Sequence, residues 1–448
     1  MYIVNSHGGI DRKMEERLLY IIEDDDYGNF GPLTVNRAVY QLRLGIDLLH
    51  EKWTSFIPAS ETRLTIRNEL AGIASEKIGM RCNDFRGVAS SGAVFVNGRY
   101  IADSSLAETI RSLDKAQILL CEGNLVAAFV PAGSAEASDL ERLKFWGYGH
   151  FKEIIKKIPK KDVIATEVKH IWDFIRLNPE QISADFERIT QDAGGASIAE
   201  SSLVDAGCTI HNRCAVRIAE GAMVDSQVVI DARGGPVYIG FGARIEPHTR
   251  IEGPCYVGEN TMLVGGKIRE GCSIGPVCKV GGELEESIIL GHSNKFHDGF
   301  LGHAYLGEWV NLGAMTTNSD LKNNYGTIRV DLGEGQQDTG MTKVGSFIGD
   351  HVKTGIGTML NTGISLGFAT NVFGAGLVAD KFVPPFCWGS SGNYAEYDIE
   401  RAIATARVVV ERRNVAFTAE DERVFRAVFE ESLEKRAHFI DSSKSDRG

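Results

Sequence analysis

The sequence predicts a mixed α/β domain, then a triangular parallel β-helix, then a C-terminal helical segment. The β-helix is predicted from two runs of residues with a step of six. They are Ile239, Ile245, Ile251, Val257 and Leu263 in the first run, and Ile348, Thr354, Leu360, Leu366, Val372 and Val378 in the second. A helix repeats every 3.6 residues and a strand every two, so this step indicates coils with three six-residue sides. The first 155 or so residues lack the step, and their mixture of strand-like and helix-like patterns predicts the α/β domain.

The same step of six extends the β-helix in both directions. Aliphatic residues keep it from Ile198 to Ile230, with one two-residue slip, and again from Ile268 to Val280. The span 198–380 contains a break near 317–343. At about 18 residues per coil, the rest of this span allows roughly eight or nine coils, each stacking on its neighbours. The expected boundaries are 1–158 for the α/β domain, 159–194 for a linker helix region, 195–388 for the β-helix and 389–448 for the C-terminal helices.

Secondary structure outside the repeat follows from periodicity and capping residues. A helix is expected from about Asn36 to Trp53, and the pattern at 160–192 is helical. Residues 396–437 are expected to form two amphipathic helices, the second starting at Thr418 with Asp421 completing a capping box. Three apolar runs predict strands: Leu18 to Ile22, Ala93 to Val96 and Ala116 to Cys121.

Charge and hydropathy exclude several classes of partner. The net charge of -12 argues against nucleic acid as the main partner, and an anionic substrate would need a local basic cluster. The apolar runs are too short to cross a membrane. Charged residues near the N-terminus, among them Asp11, Arg12 and Glu15, interrupt any secretion signal. We therefore expect a cytoplasmic protein without a membrane partner.

The cysteines are expected to be small core residues in a reducing compartment. Five of the eight fall four residues after an aliphatic anchor, where the repeat takes a small inward-facing side chain. No CxxC pair is present, so no metal site is predicted. The five are Cys208, Cys214, Cys255, Cys272 and Cys278.

The step of six fails between Glu283 and Leu301, in a stretch dense in polar side chains. A break of this kind is where a solenoid is expected to carry function. His297 lies in the break and is the candidate general base, because a neutral imidazole can accept a proton near pH 7. His292 and His303 are expected to lie on solvated faces.

Residues 297–307, followed by Val310 to Thr316, resemble the acetyltransferase half of a bacterial enzyme family. The family combines N-acetylglucosamine-1-phosphate uridyltransferase and glucosamine-1-phosphate N-acetyltransferase activities. The resemblance implies a left-handed β-helix, a homotrimer with clefts between subunits, and acetyl-CoA as cosubstrate. It also implies that His297 is the general base, that Asn311 contacts the substrate and that Ala314 lies near acetyl-CoA.

Some of the residues that bind the sugar phosphate in the family are replaced in this chain. Where the family has an Arg and a Lys-Lys pair, this chain has Lys279 and then Glu285-Glu286. Either Lys295, with Lys322 or Lys343, supplies the missing charge, or the acceptor is not glucosamine 1-phosphate. Residues 317–326 leave the repeat as an extruded loop. Further expected substrate contacts are Glu283 and Asn294 in the break, and Asn324 and Tyr325, which resemble an Asn-Tyr pair of the family.

Phe30 to Gly45, with Glu51 to Trp53, resembles a variant sugar-nucleotidyltransferase domain found ahead of such β-helices. The family's Gly-x-Gly-Thr-Arg loop and Pro-Lys-Pro motif are absent. Glu23 to Asp26 could hold Mg²⁺ or form a solvated turn, and the turn is favoured. UTP or dTTP would be the nucleotide. The residues expected to reach its phosphates are Arg37, Arg43, Lys52 and Arg99.

The leading hypothesis is CoA-dependent acyl transfer to an amino sugar phosphate or a nucleotide sugar, coupled to sugar-1-phosphate nucleotidyl transfer in the N-terminal domain. A second hypothesis keeps only the nucleotidyl transfer, with the β-helix as a trimerisation scaffold. A third treats the chain as a non-enzymatic nucleotide-sugar-sensing or structural trimer. The polar break favours the first hypothesis, because a scaffold would not need it.

Overall fold

The structure is a computed structural model that describes residues 15–192 and 194–445. It divides into two compact units. The sheet unit comprises Met1–Gly28, Asn36–Leu42 and Asp47–Lys169, and the solenoid unit comprises Asn29–Val35, Arg43–Ile46 and His170–Gly448. Asp11 and Arg12, two of the charges used to argue against a secretion signal, lie outside the described residues.

The sheet unit is built on a six-stranded sheet. The strand Leu18–Ile22 lies between two parallel neighbours and is buried throughout, as expected for a strand covered on both faces. Asn124–Val130 runs antiparallel to the strands beside it. In spatial order the strands are Glu61–Thr65, Leu18–Ile22, Ala93–Asn97, Asn124–Val130, Gln117–Cys121 and Lys160–Asp162. The three predicted strands are thus confirmed.

Along the chain, short helices lie between the strands of this sheet. The α-helices are Leu49–Phe56, Ala71–Ile78, Val88–Ser91, Ser104–Arg111, Ala135–Glu141 and Tyr148–Ile155; the 3-10 helices are Asp25–Phe30, Val39–Gln41 and Asn68–Leu70; two-residue strands occur at Arg43–Leu44 and Asp47–Leu48. The helix expected from Asn36 to Trp53 is therefore wrong for most of its length. Gly45 has a φ of +77°, which ends any helix there.

The solenoid unit stacks parallel strands into a β-helix, as the step of six predicted. One face holds nine strands within the described part of the chain. Its inward column is aliphatic, because Ile239 pairs with Val257, Val257 with Ile274, and the pattern continues coil by coil. The strands of this face are Val216–Ile218, Val237–Ile239, Cys255–Val257, Cys272–Ile274, Ile288–Gly291, Tyr305–Glu308, Ser346–Ile348, Ile364–Leu366 and Phe382–Val383.

The other faces are built in the same way, mostly from strands of two or three residues, and the final strand Asn393–Glu396 runs antiparallel to Cys387–Ser390. They comprise Leu203–Val204, Thr209–His211, Met223–Val224, Val229–Asp231, Arg244–Ile245, Arg250–Glu252, Met262–Ile268, Lys279–Glu285, Asn294–Lys295, Phe300–Gly302, Thr317–Asn318, Lys353–Thr354, Thr358–Leu360, Asn371–Val372, Gly376–Val378, Cys387–Ser390 and Asn393–Glu396. Tyr305–Glu308 pairs directly with Ser346–Ile348, so the residues between Asn318 and Ser346 are extruded from the stack. This insertion contains the hairpin Arg329–Asp331 and Gln336–Asp338. It is longer than the loop expected at 317–326.

Helices flank the solenoid in the sequence. Ile171–Asp192 precedes it, whereas 160–162 is a strand rather than part of the expected helix. Ile399–Glu411, Ala419–Glu431 and Leu433–Ser445 follow it, one helix more than expected. The predicted capping box is confirmed, because Thr418 Oγ1 accepts from the Asp421 amide and Asp421 Oδ2 accepts from the Thr418 amide. Among the described helices, none combines the length and the apolar character needed to span a bilayer.

Three of the five repeat cysteines are buried, as predicted: Cys255, Cys272 and Cys278. Cys208 is half-buried, and Cys214 is exposed. The expectation is wrong for Cys214 because the 3-10 turn Arg213–Ala215 interrupts the strand pattern there.

Candidate active site

Four polar side chains from successive coils of the solenoid unit stand in one column. Because neighbouring strands lie about 4.8 Å apart, the column spans roughly 14 Å along the solenoid. All four line one open pocket of about 730 Å³, which is the candidate active site. In order along the solenoid they are Lys279, Asn294, Asn311 and Lys353, each paired with the next through the backbone.

A bulge brings His297 to the surface beside this column. Val280 pairs with Lys295 at one end of the bulge. Glu283 pairs with Phe300 at the other end, so two residues on one coil face four on the next. The His297 side chain is exposed and lines the pocket. The step of six is therefore lost on the preceding coil, where Val280 and Leu284 are four residues apart, whereas Lys295 and Leu301 keep the step and bulge outward relative to that coil.

Lys295 lies inside the bulge and joins its backbone segments. The residue is 1% exposed, and its Nζ donates to the carbonyl oxygen of His297 and, at 3.4 Å, to that of Gly281. Burial lowers the pKa of Lys295 to about 8. Gly282 and Gly299 have φ values of +75° and +129°, and a Cβ at Gly282 would lie 2.9 Å from Nζ. The ammonium fits because these two positions lack side chains.

Two arginines after the helix Ile399–Glu411 complete the pocket. Both Arg412 and Arg413 line it. Arg413 Nη2 donates to Asn294 Oδ1 at 2.7 Å, and Asn294 Nδ2 donates to Asn311 Oδ1 at 3.1 Å. This chain of hydrogen bonds orients both amides. Sequence reasoning missed the arginines, because helix patterns do not indicate which coil a helix covers.

Stacked rings occupy the corner that precedes the column. His292, Trp309 and His351 have φ values of +51°, +61° and +60° at equivalent corners of three coils. The ring centroids of His292 and Trp309 are 4.3 Å apart, and those of Trp309 and His351 are 6.3 Å apart. Phe425 packs edge-on against His351. His292 and Trp309 line the pocket, and the expectation that His292 is solvated is wrong, because it is half-buried in this stack.

The pocket is basic. Lys279, Lys353, Arg412 and Arg413 line it, and no carboxylate of the described residues does. Lys353 Nζ donates to the His351 carbonyl oxygen at 3.0 Å, and burial lowers the pKa of Lys353 to about 8. In a chain of net charge -12, such a cluster marks a site for an anion. The sequence pattern did not single out Lys353.

The Glu285-Glu286 pair is held in a separate charged cluster. Glu285 bridges Arg269 at 2.7 Å and Lys343 at 2.9 Å. Glu286 lies 3.4 Å from His303 Nε2, while Asp320 of the insertion lies 2.8 Å from His303 Nδ1.

His303 is buried, so the expectation that it is solvated is wrong. Burial alone would lower its pKa, but the two carboxylates outweigh burial and raise the pKa to about 9. Glu285, Glu286 and His303 bring three possible metal-ligand atoms within 4.8 Å of one another. Each of the three already has an oppositely charged partner, which disfavours a metal ion there.

The structure therefore brings together five of the residues predicted for the site, and their roles remain predictions. Glu283 does not line the pocket and lies 3.9 Å from Lys267 and from Arg269. Tyr325 and Asn324 belong to the insertion and do not line the pocket, and Tyr325 is 72% exposed. The five that line the pocket are Lys279, Asn294, His297, Asn311 and Ala314.

In the sheet unit, charged residues gather where the parallel strands end. Arg99, which follows Ala93–Asn97, contacts Asp24 and Asp26 at 2.7 Å and Glu167 at 2.8 Å. The carboxyl ends of parallel strands are the usual ligand-binding edge of an α/β sheet.

Glu23 and Asp24 are buried, so the favoured solvated turn is wrong for these two residues. Arg67 pairs with Glu23 at 3.2 Å, and burial raises the pKa of Glu23. Asp26, in contrast, is exposed.

The four residues predicted to reach nucleotide phosphates are all buried: Arg37, Arg43, Lys52 and Arg99. Arg43 belongs to the solenoid unit, where its amide donates to the Tyr305 hydroxyl at 2.7 Å and its carbonyl accepts from that hydroxyl at 2.9 Å. The nucleotide contacts remain predictions.

Comparisons with known proteins find one matching family model and a set of similar bifunctional proteins. Residues 19–193 match the family model described as sugar nucleotidyl transferase. Over 187 residues the chain is 31% identical to the bifunctional protein GlmU of Paraburkholderia xenovorans strain LB400, covering 37% of this chain and 41% of that protein. It is 26% identical over 243 residues to the bifunctional protein GlmU of Synechococcus elongatus strain PCC 7942, covering 50% of this chain and 49% of that protein. The chain is thus similar to the bifunctional GlmU proteins and spans half or less of the length of these relatives.

Among solved structures, a UDP-N-acetylglucosamine acyltransferase from Campylobacter jejuni matches 51% of this chain and 95% of its own chain, with 14% identity and a TM-score of 0.21. AntD from Bacillus cereus, an N-acyltransferase solved as a point mutant in complex with dTDP and coenzyme A, matches 50% of this chain and 95% of its own, with 12% identity and a TM-score of 0.15.

Proposed function

We propose that this chain is a CoA-dependent N-acyltransferase, with acetyl-CoA as the acyl donor and an amino sugar phosphate or nucleotide sugar as the acceptor. The observation that carries the proposal is the exposed His297 on a bulge beside an oriented pair of asparagines. These groups share a basic pocket with no carboxylate among its described lining residues. A base, amide donors and an anion-binding cluster are the groups that this reaction needs.

The chemistry can be written with these side chains. The acceptor amine attacks the thioester carbonyl carbon, so that a C–N bond forms and the C–S bond breaks. His297 accepts the proton that the amine loses and passes it to the leaving thiolate. Asn311 donates to the acceptor, and the small Ala314 leaves room for the thioester end of CoA. Lys279 and Lys353, at opposite ends of the column, attract the phosphates.

The relatives support this function. Two of the similar proteins bear the name bifunctional protein GlmU, and a third, from Sulfurisphaera tokodaii, is named a bifunctional sugar-1-phosphate nucleotidylyltransferase/acetyltransferase. That third protein is 31% identical over 96 residues, which cover 21% of this chain and 24% of its own length.

Free thiol released from acetyl-CoA, measured with a panel of amino sugar phosphates and nucleotide-linked amino sugars, tests the proposal. We expect thiol release that depends on the acceptor amine, and none with the matched N-acetylated sugars. Absence of acceptor-dependent release across the panel would contradict acyl transfer.

A second activity, sugar-1-phosphate nucleotidyl transfer, is favoured for the sheet unit by the match over residues 19–193. We place its nucleotide at the strand-end edge near Arg99. Both carboxylate oxygens of Asp24 already accept from Arg99, whereas the exposed Asp26 accepts from it through Oδ2 alone, so Asp26 is better placed than Asp24 to hold Mg²⁺. Bound there, Mg²⁺ would neutralise the charge of the triphosphate.

Thermal stabilisation by UTP or dTTP in the presence of Mg²⁺ tests this second activity. We expect stabilisation of the unmodified chain, its loss in Arg37→Ala, and its retention in the control Lys115→Ala. No stabilisation of the unmodified chain by either nucleotide would contradict nucleotide binding, and the sheet unit would then be a cap or partner surface.

We further propose a homotrimer, with the active site completed by a neighbouring chain. Met359 and Leu377 are paired on adjacent coils of one solenoid face and are exposed, as are Ile356 and Phe373 nearby. Contiguous exposed apolar side chains of this kind mark a protein interface. Ile356 also lines the pocket, so the apolar surface is continuous with the site.

A further inference from the structure

We propose that the acceptor is an amino sugar linked to a nucleoside diphosphate, with its base against the edge of Trp309 and its diphosphate held by Lys279, Arg412 and Arg413. The proposal rests on the acyl-transfer function above. It narrows the acceptor class, because it excludes a simple sugar monophosphate as the preferred substrate.

The length of the pocket is the first argument. His297 follows the strand Asn294–Lys295, whereas the ring stack of His292 and Trp309 lies at the corner before that strand. His292 and His297 are five residues apart, which at about 3.3 Å per residue is up to roughly 16 Å. An amino sugar monophosphate with its amine at His297 would end near the asparagines. A nucleoside diphosphate continues across the face to the stacked rings.

The charge distribution is the second argument. Arg413 donates a hydrogen bond to the Asn294 side chain, and Lys279 pairs with Asn294 through the backbone. Two cations therefore flank Asn294 in the middle of the pocket. Arg413 uses one donor on Asn294 and retains others, and Arg412 adds a second guanidinium beside it. Guanidinium groups bind phosphoryl oxygens in pairs, which suits two linked phosphates. Lys353 lies at the other end of the column, next to Ala314 and Ile356, and remains for CoA.

The position of the Glu285-Glu286 pair outside the pocket is the third argument. The two carboxylates are bound to Arg269, Lys343 and His303 and do not line the pocket. The two carboxylates therefore add no negative charge to the pocket that would repel a diphosphate.

The ring stack provides the surface for the base. Trp309 is half-buried and lines the pocket, and its ring is stacked between those of His292 at 4.3 Å and His351 at 6.3 Å, so it presents its edge to a ligand. An edge-to-face contact with an aromatic ring typically strengthens binding by about 2- to 12-fold. The stack therefore gives the acceptor a second anchor far from the reacting amine.

Steady-state acyl transfer by the full chain tests the proposal with glucosamine 1-phosphate, UDP-linked and dTDP-linked amino hexoses as acceptors. We expect a nucleotide-linked acceptor to have a kcat/KM at least about 10-fold above that of glucosamine 1-phosphate. Trp309→Ala should raise KM for that acceptor about 2- to 12-fold and Arg412→Ala about 10-fold, with KM for acetyl-CoA unchanged. Trp388→Ala and Arg401→Ala, which alter an exposed Trp and an exposed Arg outside this pocket, are the matched controls.

Each outcome decides between the proposals. Equal or better use of glucosamine 1-phosphate, with Trp309→Ala neutral, would overturn the acceptor assignment and leave acyl transfer standing. If Trp309→Ala instead raises KM for acetyl-CoA, the ring stack would be assigned to the adenine of CoA. That result would also overturn the acceptor assignment. Thiol release with none of the acceptors would overturn acyl transfer itself, and the acceptor assignment with it.

Discussion

The buried ammonium of Lys295 donates a hydrogen bond to the carbonyl oxygen of His297, so the backbone that carries the proposed base is fixed from inside the coil. Val280, which pairs with Lys295, is a buried core residue. Lys295 thus occupies a position that is aliphatic on the preceding coil, and its charge reaches the bulge rather than the pocket. A side chain in this position would act on catalysis by holding the bulge in place.

Replacing Lys295 by Met should lower kcat about 10- to 100-fold with little change in KM for the acceptor, because the packing is kept while the bond to the bulge is lost. Steady-state kinetics of acyl transfer measure the effect, and Lys267→Met, at an exposed position, is the control. A rise in acceptor KM alone would instead return Lys295 to the phosphate-binding role that the sequence suggested.

The insertion should be anchored by a pH-dependent interaction at His303. Its pKa of about 9 lies above the ordinary value of 6.5, so the stabilisation is fully present below about pH 6.5 and is lost as pH rises through about 9. Between about pH 6.5 and about pH 9, we expect the free energy of unfolding of the unmodified chain to fall by about 1–3 kcal/mol more than that of His303→Asn. Asn suits the φ of +48° at this position. Equal pH slopes in denaturant titrations of the two proteins would contradict the charged network.

The exposed apolar face should hold a trimer together. Light scattering of the full chain should give three times the 48.9 kDa chain mass. The double variant Met359→Glu and Leu377→Glu should dissociate, because it buries paired charges at the contact. It should also lose acyl transfer. Met223→Glu, at an exposed position elsewhere on the solenoid, is the control. A fully active monomer of the unmodified chain would contradict this part of the account.

The regular part of the fold could be predicted from the sequence because each coil repeats the same local constraint. The series through Ile239 and Val257 needs no information from distant residues, and its bulge shows as a lost step. The pairing of His303 with Asp320 could not be predicted, since it depends on how an insertion folds back. The same holds for Arg413 on Asn294, which are 119 residues apart in the chain. The inward phase of Lys295, by contrast, could have been read from its spacing of six residues to Ile289 and to Leu301, which are both buried.

We propose above that His297 is the base of an acyl transfer in this pocket. The most direct test is acceptor-dependent thiol release from acetyl-CoA by His297→Ala, compared with His438→Ala, which alters an exposed histidine of the last helix. We expect His297→Ala to lower kcat about 10²- to 10⁴-fold with an unchanged melting temperature, and His438→Ala to match the unmodified chain. Turnover by His297→Ala within a few-fold of the unmodified chain would remove His297 from the mechanism and contradict the account.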